Sequence, residues 1–136
     1  MTVFTLRHDR KVAKRNMFIY LGVVLFVALF GFIYELFSHG VYSFFMAFAF
    51  IFPLTLGLLI YLILFIINKD IYPSEFTSNM YNAGVATLTL GSLYKGVIDI
   101  YGTTRDLHLS IFFIVGISLL AIGVISYIIS FFLRRK

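Results

Sequence analysis

The sequence predicts an all-α integral membrane protein, a four-helix bundle with antiparallel neighbours, short loops and both ends on the cytoplasmic side (N-in, C-in). Two observations carry most of this. The 136 residues are 61% hydrophobic and only 12% charged, whereas charged residues make up about a quarter of an ordinary globular domain. In addition, the apolar residues fall into four runs, each long enough for the ~20 residues that a helix needs to cross a hydrocarbon core of about 30 Å. The 17 Phe and 9 Tyr fit the same picture, because they exceed what one small soluble core absorbs while lipid accepts Phe on any outward face.

In chain order, a basic arm (1–16) precedes runs at about 17–37, 42–67, 76–101 and 108–133, all within one domain, 1–136. The first run, Met17 to Phe37, is too long for a secretory signal core and has no small-x-small cleavage site after it, so it is expected to remain as the first span. Ser38-His39-Gly40-Val41 then makes so short a link that the first two helices must be antiparallel neighbours, with Gly40 available to end a helix in the left-handed region. The second run contains Pro53, which removes a backbone donor and predicts a kink, with Thr55 or a neighbouring helix serving the freed carbonyl. Its cluster of Phe44, Phe45, Phe48, Phe50 and Phe52 reads as lipid-facing or packing surface.

The polar link Asn68 to Glu75 contains Pro73 and offers Ser74 as a cap for the third helix. That third run, Phe76 to Tyr101, is the least apolar, with Asn79, Asn82, several Thr, Lys95 and Asp99. A link opened by Gly102 leads to the fourth run, His108 to Leu133. Small residues that recur on one face mark where membrane helices meet. Gly84 and Gly91 in the third helix, and Gly116, Gly123 and Ser130 in the fourth, share a spacing of seven, while Ala28 and Gly31 lead to Glu35 in the first.

Orientation follows from the basic residues. Arg7, Arg10, Lys11, Lys14 and Arg15 in the arm, Lys69 in the middle link and Arg134, Arg135 and Lys136 in the tail fall on one side, leaving Lys95 and Arg105 of the 11 for the other. The positive-inside rule puts the larger group in the cytoplasm. Tyrosine prefers membrane interfaces, and Tyr20, Tyr72, Tyr81 and Tyr127 gather at the inner one, Tyr34, Tyr42, Tyr94 and Tyr101 at the outer one. Only Tyr61 lies deeper. The net charge of +5 is thus a topology signal and not a nucleic-acid footprint. Compact loops and short basic flanks suit a multi-pass protein of a bacterial cytoplasmic membrane.

The candidate site is a polar intramembrane cluster of Glu35, His39, Lys95 and Asp99 toward the outer ends of the first and third helices. Glu35/His39 and Lys95/Asp99 are each four residues apart, so each pair can share a helical face. Because charge within a membrane is costly, such groups face a partner or a water-filled cavity. They either pair and fix helix register, or line an outward-facing pocket able to pass a proton or hold a headgroup, with Asn79, Asn82, Thr87 and Thr89 continuing a polar track.

With no Cys, thiol catalysis, disulfides and iron–sulfur clusters are excluded. Neither a phosphate-binding glycine loop, a nucleophile elbow nor HExxH occurs, so no enzyme activity is expected. His39 and His108, with Glu35 and Asp106, are the only start for haem or zinc; they lack any ligand spacing, so no metal or cofactor is expected. The leading expectation is a non-catalytic accessory or regulatory subunit, whose partners are the lipid bilayer and a membrane protein or further copies of itself. The alternative is a small proton-linked transporter or channel using the cluster; haem- or quinone-linked redox comes third.

Overall fold

A computed structural model of the chain describes residues 3–67, 72–102 and 107–135, and every element among them is helical. The elements are α1 (Val3–Leu36), the single turn α2 (Phe44–Ala47), a π-helical stretch (Pro53–Leu58) leading directly into α3 (Leu59–Ile67), α4 (Glu75–Tyr101) and α5 (Leu107–Arg135). Two segments, Arg10–Leu36 and Ser110–Arg134, are long and apolar enough to cross a membrane; the apolar helix Pro53–Ile67 is shorter.

Two elements differ from the expected boundaries. α1 begins at Val3, not near Met17, so the basic arm is the first part of a 34-residue helix. Lys, Arg and Ala favour the helix and no Gly or Pro interrupts it before Gly22. This arm packs: Ala13 is buried, and the Arg10 guanidinium lies 4.8 Å over the ring of Phe65 at the end of α3. The second run, expected as one kinked helix over 42–67, is divided. After α2 the chain turns through Phe48–Phe50, and Leu54 N–H bonds to Phe50 O at 3.1 Å as the helix resumes. Pro53 cannot donate, and the turns after it widen to the five-residue register seen in Leu59 N–H to Leu54 O. Thr55 bonds to Ile51 O at 2.7 Å, so it does not serve the carbonyl of Ala49 that Pro53 leaves free.

The caps read from sequence are in place. Ser74 accepts from Thr77 N–H at the start of α4. Gly102 ends it with φ 79°, its N–H bonding to Ile98 O at 2.9 Å.

Packing is dictated by small residues. The seven-spaced glycines of α4 and α5 face each other: a β-carbon on Gly84 would lie 2.8 Å from the Leu120 backbone nitrogen, and one on Gly123 would lie 3.0 Å from that of Tyr81. Neither leaves room for a methyl group, so the two backbones touch. On the other side of α4, Met46 of α2 is wedged between helices, 2.8 Å (its carbonyl) from where a Gly31 β-carbon would sit and 2.6 Å from that of Gly96. α1 packs on the π stretch and α3, α4 packs on α2 and the π stretch, and α5 packs extensively on α4 alone. The helices thus stand in an open row, with α1 and α4 bridged by intervening side chains.

Candidate functional site

Two polar clusters lie between the helices, at opposite ends of α4. The first contains half of the predicted set. Lys95 Nζ is 2.9 Å from Asp99 Oδ1, with the side chains 20% and 31% exposed. Ser43 Oγ donates to Asp99 Oδ2 at 2.9 Å, and the Lys95 ammonium stands 5.9 Å from the centre of the Phe45 ring. One turn along, Ser92 Oγ donates to Phe45 O at 2.8 Å. Ser92, Gly96 and Asp99 recur at helical spacing, so one face of α4 receives the whole of α2. The ion pair is therefore part of the seam that seats α2.

The other two members do not join it. Glu35 ends α1 one turn past Gly31, and its Oε1 is buried with no hydrogen-bond partner. Its backbone carbonyl accepts from Ser38 Oγ at 2.6 Å and from Ser38 N–H at 3.2 Å, which closes the helix end. His39 occupies the exposed turn that follows, in the left-handed region at φ 54°, beside Gly40 at φ 89°. His39 thus follows the end of α1 and does not continue the helical face that carries Glu35. Among the described residues no group of His, Asp and Glu could hold a metal ion; Arg105, Asp106 and the side chain of His108 lie outside the described residues.

The predicted polar track divides likewise. Asn79 is exposed, and Thr87 and Thr89 each return their hydroxyl to the carbonyl four residues back, Ala83 O at 2.7 Å and Val85 O at 2.8 Å. Asn82 alone reaches another helix, and it is the centre of the second cluster. Its Oδ1 accepts from Tyr20 Oη of α1 at 2.6 Å and from Tyr61 Oη of α3 at 3.0 Å. Tyr61 Oη is also 3.3 Å from Ser78 Oγ. The two tyrosine rings stack, centroids 5.5 Å apart, and with Val85 they form the buried core. Gly57 of the π stretch makes this arrangement possible, because a β-carbon there would collide with the Tyr20 ring. On the far side of α4, Thr77 Oγ1 and Ser126 Oγ of α5 are 2.8 Å apart.

Tyr20, Tyr61 and Ser78 are members that sequence reasoning did not assemble. The depth of Tyr61 was the available signal, since a tyrosine away from both interfaces needs a buried partner for its hydroxyl. The cluster also divides two clefts. One, of about 450 Å³, lies between α1 and α4 and is lined by Asn16, Tyr20, Val23, Val27, Asn82 and Ala86 among others. The second, of about 310 Å³, is lined by Ile60, Tyr61, Ile63, Ser78, Tyr81 and Tyr127 among others. Chemically the network offers neutral hydroxyls and an amide, with no nucleophile beside a base.

Compared with known proteins, the chain matches no protein family, no curated protein and no solved structure.

Proposed function

We propose that the chain is a multi-pass protein of the cell membrane that crosses the bilayer four times, with both termini in the cytoplasm, and serves as a non-catalytic accessory subunit of a larger membrane assembly. The observation that carries this reading is the uncovered apolar exterior of α1 and α5. Phe26 and Phe32 of α1 are 66% and 63% exposed, and Ile114 and Phe132 of α5 are 64% and 63% exposed. Water does not tolerate continuous apolar faces of this length, whereas lipid or a partner's helices do. Support for α4 as a span comes from its charges: Glu75 is in its first turn, Lys95 and Asp99 are in its last two, and 76–94 carries none. At 1.5 Å per residue that neutral stretch is about 28 Å, close to one hydrocarbon core. The short π stretch and α3 cross together with α2 and the turn between them.

The absence of native Cys makes the topology directly measurable. Single cysteines at Lys69 and Arg105 should label from opposite sides of a sealed vesicle; labelling from one side would end the four-span reading. Extraction in mild detergent should then bring the chain out with a stoichiometric membrane partner, and a strictly solitary monomer would rule out the subunit role.

One observation favours a second reading, proton-linked transport: the buried, unpartnered Oε1 of Glu35. Reconstituted proton flux that is identical in wild type, Glu35→Gln and Asp99→Asn would eliminate it.

A further inference from the structure

We infer that the cleft between α1 and α4 is a binding site for an uncharged prenyl quinone dissolved in the bilayer, an inference that rests on the four-span reading above. Depth, donors and the lack of charge together select this class of ligand.

Asn82 lies six residues inside the neutral stretch 76–94, about 9 Å from its end at 1.5 Å per residue. From there the α4 wall of the cleft continues to Leu93, another ~16 Å, so the cleft begins within the hydrocarbon and ends near the far side of a core of about 30 Å. An occupant therefore places its polar group at the depth of Asn82 and runs its chain across the middle of the bilayer. Lipids with a hydrated headgroup do not sit this way.

The donors come from two amides. Asn82 Oδ1 already accepts from the Tyr20 and Tyr61 hydroxyls, so Asn82 has only its NH2 group left to offer. That nitrogen has no partner among the described residues and is not sealed inside the protein, so it opens on the cleft that Asn82 lines. An N–H left bare in hydrocarbon costs free energy that a ligand acceptor recovers. Asn16 stands at the same end on the α1 wall and brings a second amide. A ring with carbonyls on opposite edges can take one bond from each amide, whereas an ester or a prenyl alcohol presents its oxygen at a single point.

The described lining holds no charged side chain, and the hydroxyl of its other polar residue beyond this end, Thr89, is spent on Val85 O. Such walls suit a ligand that is neutral throughout and reject a phosphate or carboxylate, whose burial without a counter-charge is costly. Ile19, Phe26, Ala86 and Leu90 line the cleft and are exposed, so entry is sideways from the bilayer. At about 450 Å³ the cleft has the capacity of a small-molecule site. A partner's helix ~10 Å across and as long as these walls fills on the order of 1,200 Å³ and would rest on the rim.

Equilibrium binding of a tritiated benzoquinone carrying two isoprene units, to the full-length chain in phosphatidylcholine nanodiscs with empty nanodiscs as the partition blank, tests this. Wild type should bind one quinone per chain saturably, and an excess of the prenyl alcohol of the same chain length should not displace it. Ala86→Phe and, from the facing wall, Val23→Phe fill the cleft and should each abolish saturable binding. Asn16→Leu, outside the tyrosine network, should weaken binding about fivefold, the worth of one hydrogen bond. Ile63→Phe, in the second cleft, should change nothing. An azido derivative of the quinone should crosslink to wild type within 16–27 or 82–93, a readout that needs no variant. Binding no greater than the blank, as water alone in the cleft would give, overturns the site. So do saturable binding that survives both filled variants, crosslinks confined to other segments, and full displacement by the alcohol. Cysteine labelling at Lys69 and Arg105 in quinone-free samples separates the two failures: no bound quinone with opposite-side labelling refutes the quinone site alone, and same-side labelling refutes the membrane topology with it.

Discussion

The two ends of α4 solve the same problem with different chemistry. Toward its C-terminus an ion pair, Lys95–Asp99, with Ser43 and the Phe45 ring, seats a single helical turn. In the half nearer its N-terminus, neutral groups alone, Asn82 with Tyr20 and Tyr61, join three helices. The ion pair is local, four residues apart, and partly open, so its energy is discounted by screening and by the freedom of its long side chains. The neutral network spans 62 positions of sequence between Tyr20 and Asn82 and joins α1, α3 and α4. The charged cluster is the more conspicuous, and the neutral one ties together the more distant parts of the chain.

Mutations can break or sharpen that contrast. The largest effect is expected from Gly57→Val. Its β-carbon would collide with the Tyr20 ring, so Tyr20 must shift and the network opens, at a cost of about 3 kcal/mol or more. Denaturant titration of the reconstituted protein, followed by tyrosine fluorescence, measures this. Asn82→Leu comes next. It removes two interhelical bonds and leaves the Tyr20 hydroxyl without its acceptor, while Tyr61 keeps Ser78, for a loss of roughly 1–2 kcal/mol. A double-mutant cycle with Tyr20→Phe should show coupling well above zero; additivity would mean that the bond contributes nothing. Asp99→Asn is expected to cost least, under about 1 kcal/mol, because the amide can still accept from Ser43 and Lys95 is partly solvated. Should Asp99→Asn prove more damaging than Asn82→Leu in the same titration, the ranking of the two clusters is reversed.

Much of the frame was legible in the residues. Ser74 and Gly102 bound α4 as their cap chemistry requires, and the seven-spaced glycines identified the faces on which α4 and α5 meet. The Lys95–Asp99 pair was legible because its spacing alone brings the groups together. What escaped depended on contacts between distant segments. Nothing local marks Phe48–Phe50 as a break, and it becomes one because Pro53 lies downstream and α2 is drawn onto Ser92, Gly96 and Asp99. His39 was grouped with Glu35 by helical spacing, but α1 ends at Leu36 and His39 lies in the left-handed turn beyond it. Tyr20 read as an interfacial anchor because its stacking on Tyr61 exists only once the π stretch presents Gly57.

The near-exclusive attachment of α5 to α4 bears on how the molecule is made. Its docking surface is its immediate predecessor in the chain, so the α4–α5 hairpin can form from adjoining segments at small loop-closure cost. Tyr20, by contrast, is synthesised long before Asn82 exists and must wait for it. The Tyr20–Asn82 bond therefore closes only once α4 is present, whereas the stacking of Tyr20 on Tyr61 needs only segments that precede α4.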